Sequence, residues 1–293
     1  MPIVCPNCGD EFQNKKAMRI HKSKVHSGKK KVVKKAEQIE RVNTGVEGFD
    51  KLTKEGIPKG SSVLIEGGPG SGKTIFCLQI AKNAVERGEK ALYMSFEEPV
   101  KRLVQHMDAF NWDVEEYMEN DKLRIERYNA LDIARSVEAL LSEAKKELMI
   151  DVKPMLFPED FEPDVVLFDS LTSVASAFSG RESRFRIYME QLFQYLEKKD
   201  ITSYLIRETP NPSHIGMQVA GPGGGSGAVS FLSDGIVAIY NAIHPSGKRD
   251  RGLEIVKMRG EDFQSGIVKM EIKDNEGIIV YPDENLEGEY TLT

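Results

Sequence analysis

Gly67-Gly68-Pro69-Gly70-Ser71-Gly72-Lys73-Thr74 is the stretch on which the reading of this chain turns. Before it, Ser62-Val63-Leu64-Ile65-Glu66 suits a short buried strand. After it, Ile75-Phe76-Cys77-Leu78-Gln79-Ile80-Ala81 opens a helical pattern that ends near Gly88. Strand, glycine loop and helix in that order are the setting a phosphate-binding loop requires. Glycines let main-chain N–H groups close around phosphate oxygens, and the helix N-terminus adds its partial positive charge. In such a loop Lys73 reaches the β- and γ-phosphates of ATP and the Thr74 hydroxyl serves Mg2+, which makes residues 67–74 candidate nucleotide contacts.

Working outward, the loop needs a second carboxylate beside the metal. Asp164-Val165-Val166-Leu167-Phe168-Asp169 is an apolar strand with Asp169 at its carboxyl edge, the Walker B arrangement. Ala91-Leu92-Tyr93-Met94-Ser95-Phe96 is the strand that follows the loop's helix, and it ends in Glu97-Glu98-Pro99. Strand ends converge on one crevice in an open parallel sheet, so this pair should face the γ-phosphate. Two carboxylates can position a water and accept its proton. Acidic residues also open helices for reasons of the helix dipole alone, and that reading competes. Residues 201–206 read as a further parallel strand, with Glu208 near its end as a candidate nucleotide contact.

The first residues carry a separate pattern. Cys5, Cys8, His21 and His26 stand in the spacing C-x2-C-x12-H-x4-H, which fits a tetrahedral Zn2+ site. A tight turn presents two thiolates, and one face of a short helix presents two imidazoles. Four protein ligands leave no open position, so the metal would be structural and would supply the folding free energy of a segment with almost no core. Phe12 and Met18 stand where the C2H2 zinc fingers that this segment resembles keep their core residues. A single finger reads roughly 3 base pairs and is weak alone; DNA, RNA or a protein partner all remain open for it.

Charge is divided unevenly. Residues 1–35 hold nine Lys and Arg19 against Asp10 and Glu11, a net of +8; the whole chain of 293 residues carries −6, which leaves −14 for the rest. A basic arm on an acidic body suits polyanion contact, or an arm that folds back on its own domain. Three cysteines do not make a secreted disulfide scaffold. No apolar run approaches the roughly 20 residues that span a bilayer, and the first residues lack a signal-peptide layout. A soluble, cytoplasmic protein without membrane contact is expected.

From about Arg41 to Pro282 the chain resembles the single-domain KaiC-like ATPases of the RecA superfamily. The resemblance rests on Thr44-Gly45-Val46-Glu47-Gly48-Phe49-Asp50-Lys51-Leu52 with Gly56-Ile57-Pro58-Lys59-Gly60, on Glu97-Glu98, and on Asp169-Ser170-Leu171. It continues in Ser230-Phe231-Leu232-Ser233-Asp234-Gly235 and in Lys257-Met258-Arg259-Gly260. It implies an α/β RecA-like P-loop NTPase with a mostly parallel central sheet, ATP hydrolysis with Mg2+, and a homohexameric ring with ATP at subunit interfaces. By the same resemblance Lys257 and Arg259 reach the γ-phosphate of a neighbouring subunit. Alternation places both on one side of a strand, where a solvated face is the plainer reading.

The expected organisation is a ββα zinc finger at 1–27, a basic linker at 28–40, the ATPase domain at 41–282 and a loose acidic tail at 283–293. Helical spacing links Val137, Leu140, Leu141, Ala144 and Leu148, and again Phe185, Tyr188, Met189, Leu192, Phe193 and Leu196. Antiparallel strands are expected around Gly247-Lys248 and Gly266. A basic loop with Arg181, Arg184 and Arg186, and the glycine run at 221–227, are candidates for a ring's centre, with Phe178 and Phe185 as the aromatics nearby. His106, His214 and His244 have no evident partner, and the segment 154–163 reads as an insertion. The function expected is a ring-forming ATP-hydrolysing switch with a zinc-finger adaptor. A DNA-dependent ATPase and a nucleotide-gated binding module are the alternatives.

Overall fold

The computed structural model describes residues 2–6, 8–25, 40–54, 56–144, 157–209 and 225–293. His26, residues 28–39 of the basic linker, Leu148, His214, residues 154–156 of the insertion and residues 221–224 of the glycine run lie outside them. The chain divides into two units, Met1–Ile39 and Glu40–Thr293.

In the first unit β1 (Ile3–Val4) and β2 (Glu11–Phe12) form an antiparallel hairpin, and α1 (Lys15–Val25) follows. Asn14 caps this helix, its Oδ1 accepting the Ala17 N–H at 2.9 Å. None of the residues in α1 is fully buried. Propensity and packing alone would not hold so short a unit.

The second unit opens with β3 (Arg41–Val42), a 3-10 turn (Phe49–Thr53) and β4 (Ile57–Pro58), which pairs with β3. Next come β5 (Ser62–Gly67), α2 (Lys73–Glu86), β6 (Ala91–Ser95), α3 (Val100–Asp108), α4 (Val114–Glu119), β7 (Leu123–Arg127) and α5 (Ala130–Ala144). Then follow β8 (Val165–Asp169), α6 (Leu171–Ala177), α7 (Glu182–Lys198), β9 (Thr202–Glu208) and α8 (Gly225–Leu232). The chain finishes with β10 (Gly235–Ile243), β11 (Arg249–Met258), β12 (Val268–Lys273), β13 (Gly277–Asn285) and β14 (Thr291–Leu292). One sheet runs in the order β13-β12-β11-β10-β5-β9-β8-β6-β7. From β10 to β7 every neighbour is parallel, whereas β11, β12 and β13 extend the sheet antiparallel.

Helices cover both faces of the parallel part, so its strands are apolar without alternation. Val63 and Ile65 of β5 join a core with Phe76, Cys77 and Ile80 of α2, while Leu64 joins Leu192 and Leu196 of α7 on the opposite face. The spacing read in the second helix holds throughout: Phe185, Tyr188, Met189, Leu192, Phe193 and Leu196 are all buried. In the insertion, Phe157 packs on Tyr195, and Phe161 lies beneath the cations of Lys90 and Arg124. Its described part therefore joins α7 through Phe157 and β7 through Phe161.

Three expectations are corrected here. The acidic end is not loose: β13 continues to Asn285, and β14 pairs with β10 through Ala242↔Leu292 and Ile243↔Thr291. Strand β5 accompanies β10 only as far as Ile239, and β14 takes up the edge left free beyond it. The glycine run, which a string of glycines would leave as a flexible loop, is helical in part, since Gly225, Ser226 and Gly227 begin α8. The basic loop is also engaged: Arg181 and Arg184 pair with Glu138, and Arg186 with Glu190. Phe178 and Phe185 are buried against each other rather than offered to bases.

Candidate nucleotide site

Parallel register decides which groups meet. Gly67 is level with Glu208 across β5 and β9, and Ser95 is level with Asp169 across β6 and β8. The glycine loop, Glu97-Glu98, Asp169 and Glu208 thus leave the sheet at one carboxyl edge, the crevice expected for a ligand of an open parallel sheet.

The loop itself is tightly built. A Cβ on Gly67 would come within 2.5 Å of the Ile239 carbonyl oxygen and 2.6 Å of Ser71 Oγ. Gly72 precedes α2 with φ +111°, a conformation that side chains disfavour. Lys73 is 6% exposed and folds back to donate to the Gly68 carbonyl at 2.9 Å. Burial pushes its ammonium pKa down, against the pull of Glu208, Asp169 and Glu97. Asn241 donates to the Pro69 carbonyl at 3.2 Å and Arg251 to that of Gly70 at 3.5 Å, so β10 and β11 brace the loop from outside. The Thr293 backbone exchanges hydrogen bonds with Asn241 and lies against Gly68.

Asp169 stands at the floor. Its Oδ2 accepts the Thr74 hydroxyl at 3.1 Å and the Tyr93 hydroxyl at 2.6 Å. Burial raises its pKa, the two hydroxyl bonds lower it, and Glu97 and Glu98 raise it again. Thr74 and Asp169 present hard oxygen donors side by side, which suits Mg2+. The buried Ser71 hydroxyl finds no hydrogen-bond partner among the described residues, as expected of a loop shaped around a polar ligand.

The two glutamates part company. Glu97 Oε1 accepts the Ser170 hydroxyl at 2.5 Å and the Ser173 hydroxyl at 2.6 Å, which ties it to the Asp169 strand end. Glu98 instead turns to α3, with His106 Nε2 at 3.2 Å and Arg102 Nε at 3.9 Å. The Glu208 main-chain N–H donates to the Thr172 hydroxyl oxygen at 2.8 Å.

Residues 42–285 match the family model described as the KaiC ATPase. The chain belongs to the KaiC ATPase family. A UPF0273 protein of Thermotoga maritima is 29% identical over 85% of this chain and 99% of its own length. The circadian clock protein KaiC3 of Synechocystis is 28% identical over 83% of this chain, which spans only 46% of that protein. Among solved structures, a KaiC-like protein of Pyrococcus horikoshii superposes with a TM-score of 0.63 at 27% identity, over 84% of this chain and 100% of that one. The central sheet is accordingly the mostly parallel sheet of the RecA-like α/β fold. Among the described residues no helix is long and apolar enough to cross a membrane.

Two further candidate residues, Lys257 and Arg259, lie away from this crevice. Met258 pairs with Gly235, and Gly235 with Val63, so Lys257 and Arg259 sit at the amino end of β5. Four residues of strand, about 13 Å, separate that end from Gly67. Lys257 donates to the carbonyls of Ser230 and Ser233, and Arg259 to the Phe231 carbonyl and to Asp234. Burial and Arg259 lower the Lys257 pKa, against Asp234.

In the first unit, one ligand atom from each of Cys5, Cys8 and His21 lies within 4.8 Å of the others. Cys8 Sγ is 3.1 Å from His21 Nε2, and Phe12 packs on the His21 ring at 4.7 Å between centroids. Two sulfurs and an imidazole converging on one point are donors that fit Zn2+. His26 falls outside the described residues.

Sequence reasoning missed Tyr93, Ser170, Ser173, Asn241 and Arg251, and it left His106 and His244 without partners. His106 meets Glu98, and His244 meets Asp250 at 2.9 Å. Tyr93 and Ser170 lie within segments already singled out and Ser173 two residues beyond one, but hydroxyls are common at strand ends and nothing in the string aims them.

Proposed function

We propose that this protein binds and hydrolyses ATP and acts as a ring-forming regulatory switch, with a zinc-held finger as its adaptor. The observation that carries the reading is Glu97, held by two serine hydroxyls beside the Asp169–Thr74 pair and within the electrostatic reach of Lys73. Main-chain N–H groups of residues 67–74 and the Lys73 ammonium hold the phosphates. Thr74 and Asp169 would hold Mg2+, which supplies charge neutralisation of the phosphates. Glu97 orients the attacking water and takes its proton. Glu98, drawn to His106 and Arg102, supports that arrangement electrostatically rather than serving as the base.

Lys257 and Arg259 are too far along the sheet to serve their own chain's loop. A neighbouring copy is the natural recipient, as for an arginine finger supplied in trans, and this supports a ring, taken as a homohexamer. An exclusively monomeric mass by light scattering with ATP present would overturn the ring. Cys5, Cys8, His21 and His26 would hold Zn2+ with no open position, and six fingers on a ring would give avidity to weak single contacts with DNA or protein. Among the described residues nothing favours a DNA-binding central loop, because the three arginines and two phenylalanines considered for it are already engaged.

The test is steady-state phosphate release. Glu97→Gln is expected to lose at least about a hundredfold in turnover while still binding nucleotide, and Glu98→Gln about tenfold or less. Equal losses would refute the division of roles. No turnover by the unaltered protein, with or without single- or double-stranded DNA, would leave a nucleotide-gated binding module in place of an enzyme.

A further inference from the structure

We infer that Tyr93 is a positioning residue for Asp169, and that its hydroxyl sets how well the site takes up Mg2+ with nucleotide. The inference rests on the nucleotide-site reading above and deepens it. Tyr93 lies in the middle of β6 with no exposure to solvent. Its hydroxyl reaches Asp169 Oδ2 at 2.6 Å, shorter than the 3.1 Å bond from Thr74 to the same oxygen. The Phe96 N–H, three residues further on and just past the end of β6, donates to the Asp169 carbonyl at 2.6 Å. Strand β6 and the residue that follows it therefore grip both the main chain and the carboxylate of Asp169.

The burial of a tyrosine does not by itself require such a bond. Tyr188 and Tyr204 are buried in the same unit with hydroxyls that have no hydrogen-bond partner among the described residues. Phenylalanine would fill the Tyr93 position equally well; what the hydroxyl adds is a donor aimed at the carboxylate. With Oδ2 held from the core side, rotation of the carboxylate about its Cβ–Cγ bond is restricted, and Oδ1 takes neither hydroxyl. Thr74 cannot be the permanent clamp, because its own oxygen is a candidate metal ligand. Partners of this kind, outside the metal's ligands, orient those ligands and tune affinity.

The experiment measures binding of a fluorescent ATP analogue across a free Mg2+ titration, in the full-length protein and in Tyr93→Phe. The variant is expected to keep the unaltered affinity in EDTA and the unaltered thermal midpoint to within a few degrees. Its Mg2+ midpoint should rise about three- to tenfold. A Mg2+ midpoint within twofold of the unaltered protein would overturn the proposal. In an Asp169→Asn background the same substitution should cause no further shift, and an undiminished shift there would place the effect elsewhere and overturn it too. If the unaltered protein shows no Mg2+-dependent nucleotide binding, the nucleotide-site reading itself fails and this inference falls with it.

Discussion

Gln79 offers the sharpest test of how the loop's helix is anchored. It lies in α2, is 6% exposed, and faces Ile278 of β13, the terminal strand of the sheet. Its Nε2 donates to the Ile278 carbonyl at 3.1 Å, and its Oε1 accepts the Ile278 N–H at 2.6 Å. A primary amide thus stands in for the next strand, satisfying an edge that would otherwise bury unpaired main-chain groups. Gln79→Leu keeps the volume and removes both bonds. Two buried groups lose their partners at about 1–3 kcal/mol each, and the added apolar burial offsets about 1 kcal/mol, which leaves a net loss of about 1–5 kcal/mol, centred near 3. At an m-value of about 3 kcal/mol per molar, the urea midpoint should fall by about 1 M. The assay is urea unfolding without nucleotide, followed by Trp112 fluorescence. Trp112 is the single tryptophan, is buried, and stacks on Phe110 at 4.9 Å. It also borders the lesion, since a Cβ on Gly277 would come within 2.7 Å of its ring. A loss below about 0.5 kcal/mol would refute the reasoning, because it would mean that Ile278 finds water or another partner at no cost.

Two other outcomes follow from the same geometry. Asp50 accepts the Thr44 N–H and hydroxyl at 2.9 Å each and the Gly45 N–H at 3.0 Å, yet burial pushes its pKa up against these bonds. The folded state therefore holds the Asp50 proton more tightly than the unfolded chain, and stability from this group is lost as pH rises through the raised value. Asp50→Asn lacks that term, so its deficit against the unaltered protein should narrow in urea unfolding as pH rises above the ordinary carboxylate range; a widening deficit would contradict the burial argument. In the first unit, Cys5→Ser should abolish the roughly one equivalent of zinc expected by elemental analysis and the helical signal of α1, while nucleotide affinity stays within twofold. Unchanged helicity without zinc would remove the metal from the folding of that unit.

Much of the fold and of the site was legible because the local pattern carried its own physics. The glycine loop needs strand before and helix after, and β5 and α2 stand there. The strands at Asp169, at Glu97-Glu98 and at Glu208 could be found as apolar runs with a polar end, and the parallel rule told which edge they share. What misled was also local. An acidic, charged end reads as a tail, but β14 pairs with β10 because β10 outruns β5, and a difference in strand length is not written in composition. Arg181, Arg184 and Arg186 read as a free basic loop, but each is paired, the first two with Glu138 and the third with Glu190, and the partner of the first two is more than 40 residues away in sequence.

By itself, then, the sequence determined a phosphate loop on a parallel α/β sheet, the carboxylates near it, and a separate two-Cys, two-His segment, since each depends on spacing within one short stretch. Only the tertiary structure decided how those groups are divided. It sent Glu97 to Ser170 and Ser173 and Glu98 to His106. It put Tyr93 beneath Asp169, and it set Lys257 and Arg259 at the end of the sheet remote from their own loop. The physical reason is register. Which side chains face each other across a sheet depends on how strands far apart in the chain align, and that alignment is fixed by packing on both faces rather than by any one stretch of residues.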